Sequence, residues 1–195
     1  AHLRTHGARI LPRYHFELAD TIVSLDADFL GTWISPVEYT GGYCLGRQPK
    51  GTPAAMSYHV QFESRMSLTG ANADRRFAVD PKAIGLIANS LAERIIRRRG
   101  MGLDVPSLPA PPVSAGYLDS LVDQLVESPG RSLVISGRQD IDVQCLCNLI
   151  NHLLGNYGTT IDLTAASNQS ESSDEDLHRL VEELRAGQVE ALFVL

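Results

Sequence analysis

A three-layer α/β domain, with a mainly parallel sheet and helices on both faces, is the fold class that the sequence predicts. Two observations carry the expectation. Short β-branched runs alternate with helical patterns along the chain, and that alternation implies right-handed βαβ units whose sheet is covered on both sides. The four helical patterns are also well punctuated by capping residues and glycines. With 195 residues, 44% hydrophobic and 21% charged, the chain has the size and composition of one globular domain or of two small lobes sharing a core.

The first strand is predicted at Thr21-Ile22-Val23-Ser24-Leu25, a buried run that breaks into Asp26, Asp28 and Gly31. The following stretch, with Gly41, Gly42, Gly46, Gly51 and Pro53, fits no single pattern. Alternation of Tyr58, Val60 and Phe62 with polar residues predicts a second strand over 57–62, ending at Glu63-Ser64-Arg65, and Phe77-Ala78-Val79 predicts a short third. Asp80-Pro81 reads as an N-cap with a first-turn proline. The helix after it carries Ile84, Ile87, Ala88, Leu91 and Ile95 as its apolar stripe and closes on Arg97-Arg98-Arg99 before Gly100.

The proline-rich segment Val105 to Val113 reads as extended and semi-rigid. It divides an N-terminal α/β part (1–100) from a C-terminal one (114–195), with 101–113 as connector. Ser114 opens a second helix with Leu118, Leu121, Val122 and Leu125 on one face. Asp140 opens a third, with Val143, Leu146, Leu149, Ile150, Leu153 and Leu154, closed by Gly155. Ser173 and Asp176 form an acidic capping box for a fourth, whose Leu177, Leu180, Val181 and Leu184 are expected inside. Further strands are expected at Leu133-Val134-Ile135, Thr160 to Leu163 and Val189 to Leu195. Because the chain stops within that last apolar run, the expectation is an internal piece of a longer chain.

Several function classes lose ground on composition. A net charge of −6 argues against general nucleic-acid binding, which needs a basic face. No apolar run reaches the roughly 20 residues of a membrane-spanning helix. After Leu25 the close-set glycines of a dinucleotide fingerprint are missing, and neither a Walker motif nor a G-x-S-x-G elbow occurs. Cys44, Cys145 and Cys147 are too few for an iron–sulfur cluster and read as apolar fillers. His2 and His6 are the one weak metal-spaced pair, on a basic arm that reads as solvated or docked. Arg94, Arg97, Arg98 and Arg99 resemble a phosphate patch, but a helix C-terminus favours cations in any case.

In open α/β sheets, ligands bind beyond the carboxyl ends of the strands. The candidate binding residues are therefore Asp26, Asp28, Glu63, Arg65 and Gly137, the last followed by Arg138. Acids there can accept hydrogen bonds from a ribose or a nucleobase; the competing reading is that they cap helices or finish strands in water.

Glu63-Ser64-Arg65, Thr69, Ala73-Asp74 and Phe77-Ala78-Val79-Asp80-Pro81 are followed by Leu133 to Gly137, Asn151-His152-Leu153-Leu154 and Gly155-Asn156-Tyr157-Gly158. The order of these short motifs resembles the molybdopterin oxidoreductase large subunits. Within that family the wording is most similar to the molybdoenzyme-like part of the iron–sulfur subunit of alternative complex III, a quinol-oxidising respiratory assembly. Phe29-Leu30-Gly31-Thr32-Trp33 and the run Phe62 to Asp74 carry this likeness. The family's Pro-Gly-Thr-Asp, whose Asp meets the guanine of the pterin dinucleotide, stands here as Pro81-Lys82-Ala83-Ile84, and its acidic-Pro-Arg turn as Glu63-Ser64-Arg65. The resemblance thus implies a domain without catalytic residues or metal of its own, and a vestigial pterin-dinucleotide pocket at Asp26, Asp28, Glu63, Arg65 and Gly137.

On this view the chain holds no cofactor, and iron–sulfur clusters lie elsewhere in the parent. Its partners are the remaining domains of the parent chain and other subunits of a membrane-bound electron-transfer complex, on the periplasmic side, with no nucleic acid and no direct membrane span. The alternative it leaves open is a working oxidoreductase domain that binds molybdopterin guanine dinucleotide. A third reading is an unrelated α/β module for a nucleotide or small anion.

Overall fold

The computed structural model describes residues 1–8, 10–49, 51, 55–165, 167 and 174–193. Its centre is a four-stranded parallel sheet built from β2 (Thr21–Leu25), β3 (Tyr58–Glu63), β4 (Arg75–Ala78) and β5 (Ser132–Ser136), in the order β4-β3-β2-β5. The chain therefore steps outward from β2 to β3 to β4, then returns to the other side of β2 for β5. That reversal lies between β2 and β5, a topological switch point of the kind that leaves a crevice at the carboxyl ends of the strands. Since β2 precedes the proline-rich connector and β5 follows it, the two parts of the chain share one sheet.

Alternation along the strands divides two cores. Val23, Leu25, Val60, Phe62 and Val134 face the apolar stripes of α4 (Ala83–Arg98), α5 (Ala115–Glu127) and α6 (Ile141–Leu153). Ile22, Leu133 and Ile135 face Phe16, Phe29, Tyr39 and Tyr43, the last two on α2 (Pro36–Gly46). Helices on both faces of a parallel sheet make the three-layer α/β class the observed one. The glycine-rich stretch that showed no pattern contains α2, which has almost no apolar–polar segregation, because Tyr39 and Tyr43 alone anchor it inward. Its buried rings hold it where periodicity gave no signal.

The apolar stripes of α4, α5 and α6 face the core as expected, but among the described residues only one of the expected N-caps acts as predicted. Asp140 caps α6 by accepting from the N–H groups of Asp142 (2.9 Å) and Val143 (3.2 Å). Ser114 stands at the N-cap of α5 but makes no side-chain cap bond, and Asp80 caps a turn that precedes α4, accepting from Lys82 N–H. The α4 arginines are absorbed by ion pairs: Arg94 with Asp119, Arg97 with Glu93 and Arg98 with Asp123. The Arg94 and Arg98 pairs pack α4 on the acidic side of α5, and the Arg97 pair lies within α4. The N-terminal arm docks: α1 (His2–His6) lies against α6, with His6 on the Tyr157 hydroxyl and His2 facing Asn148.

Three expectations in the C-terminal part are corrected. Thr160 to Leu163 adds no strand to the main sheet; β6 (Ile161–Asp162) pairs antiparallel with β1 (Arg13–Tyr14) in a separate two-stranded ribbon. The physical reason lies at β5, where side chains take all three outward carbonyls and the Val134 N–H. Asn151 serves both Val134 N–H (3.1 Å) and Val134 C=O (2.6 Å), Thr160 donates to Ser132 C=O (2.6 Å), and Gln144 donates to Ser136 C=O (2.9 Å). Residues 189–193 form no strand, and Phe193 is 88% exposed; Val194 and Leu195 lie outside the described residues. Finally, α7 (Asp174–Arg185) leaves Leu177 and Leu184 exposed instead of inside, because no other element covers that face among the described residues. Its expected Ser173 cap lies outside the described residues.

Candidate functional site

The crevice at the carboxyl ends of β2, β3 and β5 is a hollow of about 340 Å³. Asp26, Asp28, Glu63, Arg65 and Gly137 all line it, together with Thr32, Trp33, Ser64 and Ser67. A second hollow of about 660 Å³ adjoins it on the β5 and α6 side and shares Thr32 and Trp33. A larger one, about 810 Å³, lies at the opposite end of the strands beside the Asp20–Arg131 ion pair, away from the switch point.

Each acid in the crevice has partners within the chain. Glu63, 1% exposed, ends β3 with a full set of acceptor bonds. Its Oε1 takes Ser67 N–H (3.2 Å) and Arg76 Nε, and its Oε2 takes Ser67 Oγ (2.6 Å) and Gln61 Nε2 (3.2 Å). Burial by itself pushes the carboxyl up. The bonds from Ser67, Arg76 and Gln61 outweigh it, and Glu63 titrates below the ordinary glutamate value. Asp28 Oδ1 accepts from the N–H (3.2 Å) and hydroxyl (2.9 Å) of Thr69, while Oδ2 faces Thr32 Oγ1 at 3.4 Å. These bonds fasten the loop after β2 to the start of α3 (Leu68–Ala71).

Asp26 turns the chain out of β2 at φ 60°, a left-handed conformation that aspartate tolerates better than most residues. Its N–H donates to Phe62 C=O (2.7 Å), and Arg138 stands 3.5 Å from its Oδ2. Gly137 sits where β5 passes the Asp26-Ala27 backbone. A Cβ there would lie 2.2 Å from Asp26 O and 2.9 Å from Ala27 Cα. The close approach that requires glycine is therefore chain on chain. Arg65 is the exposed cation of the crevice and has no hydrogen-bond or ion-pair partner among the described residues.

Behind Glu63 runs a buried polar chain that the sequence reading passed over. His59, Gln61 and Glu63 alternate on one face of β3, all at 1% exposure or less. Gln61 Nε2 donates to Glu63 and reaches Ala27 C=O at 3.5 Å, both pure acceptors, so its Oε1 must face His59 Nε2 (3.4 Å). The network therefore assigns the proton of neutral His59 to Nε2, leaving Nδ1 beside Tyr43 Oη (3.2 Å), which is also 2.9 Å from Asn72 C=O. Burial draws the imidazole down to about 4, ahead of the smaller opposing effects of Gln61, Asp74 and Glu63. The readable signal was the pattern itself: three polar residues on one face of a strand otherwise built for burial.

The sequence named five crevice residues and the chain brings all five together. Thr69 and Arg76 were missed as partners, since what ties them to Asp28 and Glu63 is the β3–α3–β4 connection rather than any local pattern. No group of three His, Cys, Asp or Glu residues is placed to hold a metal among the described residues, and no helix is long and apolar enough to cross a membrane. No family model matches the chain, and no curated protein matches it.

A dinucleotide asks a site of this kind for free acceptors toward its base or ribose and free N–H groups toward its phosphates. Glu63 is saturated, Asp26 faces Arg138, and the α6 N-terminus beside the switch point is closed by the carboxylate of Asp140. Arg65, by contrast, has no partner among the described residues, and Asp28 Oδ2 has only the 3.4 Å contact with Thr32 Oγ1.

Proposed function

We propose that the chain is a scaffold domain of a molybdopterin-oxidoreductase-like respiratory subunit, holding neighbouring domains and subunits without binding the molybdenum cofactor. The observation that carries this reading is the saturated Glu63. The acid at the end of β3 that the resemblance places in the cofactor pocket accepts four hydrogen bonds from its own chain. Lys82, in place of the family's ligand-approaching glycine, points the same way. In this reading the parent lies on the periplasmic side, held to the membrane by partner subunits, and iron–sulfur clusters elsewhere in it move the electrons.

The second reading, an oxidoreductase domain with molybdopterin guanine dinucleotide, draws on the unpartnered Arg65 and on Trp33 at the edge of both hollows. The test is molybdenum and tungsten content, with pterin fluorescence after oxidative release, on the full-length parent from a cofactor-competent host. Background levels in a folded parent with intact clusters are the expected result. Near-stoichiometric metal and pterin would overturn the scaffold reading.

A further inference from the structure

The two edges of the main sheet are finished in different ways. In the register of β2 with β5, the outward backbone groups belong to Ser132, Val134 and Ser136. Asn151, Thr160 and Gln144 occupy their carbonyls, and Asn151 also takes the Val134 N–H. In the register of β3 with β4, Val79 N–H donates to Glu63 C=O, so the outward groups are those of Arg76 and Ala78. Among the described residues, no protein group bonds to the backbone N–H or C=O of either. Ala78 is exposed. Unpaired groups on an exposed edge form a ready template for another strand.

The side chains around this edge select what can lie on it. Arg75 is exposed, and Arg76, half-buried, gives Glu63 only its Nε in the bonds described, leaving its terminal nitrogens without a protein partner among the described residues. Two copies of β4 pairing edge to edge would set arginine against arginine on both faces of the sheet, and like charges across a strand pair destabilise it. A strand with carboxylates gains where a second copy loses. Phe77 stacks on Phe62 (5.0 Å) and meets Tyr117 (4.8 Å), giving an added strand a partly exposed apolar wall for one of its side chains.

We propose that the β4 edge takes up an extended, carboxylate-bearing segment of a partner protein as an added strand, paired to the backbone of Arg76 and Ala78. This deepens the scaffold reading and rests on it, because it names the edge by which a partner is held. The metal and pterin assay reads the crevice and the assay below reads only the edge, so either can fail without the other.

The test uses the intact chain and two capped peptides of about ten residues, long enough for one strand, alternating valine with glutamate or valine with lysine. Binding is followed by fluorescence anisotropy, and the edge by residue-resolved amide hydrogen exchange. The glutamate peptide is expected to bind and to slow exchange at Arg76 and Ala78 while leaving Val134 unchanged; the lysine peptide is expected not to bind. Ala78→Pro removes one outward N–H and leaves the β3 ladder intact. It should weaken binding about tenfold, the net worth of about one hydrogen bond. Arg75→Glu should shift the preference toward the lysine peptide, which keeps the test open if the proline variant misfolds. Unchanged exchange at Arg76 and Ala78 with saturating glutamate peptide would overturn the proposal. So would equal binding of both peptides, or edge protection that appears only on self-association of the chain.

Discussion

Acid should destabilise this chain well above the pH at which its carboxylates titrate, and His59 is the reason. The ring is fully buried, with Tyr43 of α2, Gln61 and Glu63 of β3, Asp74 and Arg47 around it, and Phe29 5.3 Å away. A second proton on Nδ1 would not break the hydrogen-bonded chain, because Tyr43 can accept it and donate to Asn72 C=O instead. The cost is that of charging a buried group. A folded value of about 4 against 6.5 in the unfolded chain corresponds, at about 1.4 kcal/mol per pH unit, to roughly 3 kcal/mol. The unfolded state binds the proton more readily, so this stability is complete above pH 6.5 and is lost as pH falls from 6.5 toward 4. His2, also drawn to about 4 by burial and by the charges of His6 and the N-terminus, adds to the same window. Glu63 and Asp74, held low by their hydrogen bonds against the upward push of burial, give up stability only below their ordinary values of 4.5 and 3.8. Urea unfolding of the chain and of His59→Asn at several pH values between 7.5 and 4.5 separates these contributions. The variant should lose a large part of the slope between pH 6.5 and 4.5 whatever its absolute stability. An identical slope in both proteins, or a His59 NMR titration centred near 6.5, would refute the reasoning.

Gly137→Ala and Gly41→Ala should act in opposite directions when thermal unfolding is compared. The first sets a Cβ against the Asp26 carbonyl, which no rotamer can relieve, and should cost about 1–3 kcal/mol. The second meets nothing within 4 Å on α2 and should stabilise by roughly 0.5–1 kcal/mol. Asn151→Leu leaves the N–H and C=O of Val134 without partners and removes the Asn156 bond. It should cost about 3 kcal/mol or more in urea unfolding and raise light scattering, because the middle of the β5 edge is then open.

The strand residues, the apolar stripes of α4, α5 and α6, and the Asp140 cap were readable because each is set by contacts within one or two turns of chain. The position of the candidate site was readable for a similar reason: acids and a glycine directly after buried strands mark carboxyl ends. The glycine-rich α2 was not, since two buried tyrosines rather than a periodic face hold it. For α7 the reverse holds. Its apolar and acidic faces are clearly segregated, but periodicity predicts a face and says nothing about whether a partner covers it.

By itself the sequence determined the α/β class, most of the elements and which residues could meet at the strand ends. Those follow from local backbone preference and from the period of apolar side chains. Only the tertiary structure decided the strand order, the engagement of Asp28 with Thr69 and of Glu63 with Arg76, and the contrast between a closed β5 edge and an open β4 edge. Each of these depends on hydrogen-bond partners brought together from distant parts of the chain or from separate elements, and local sequence carries no record of which donor will arrive.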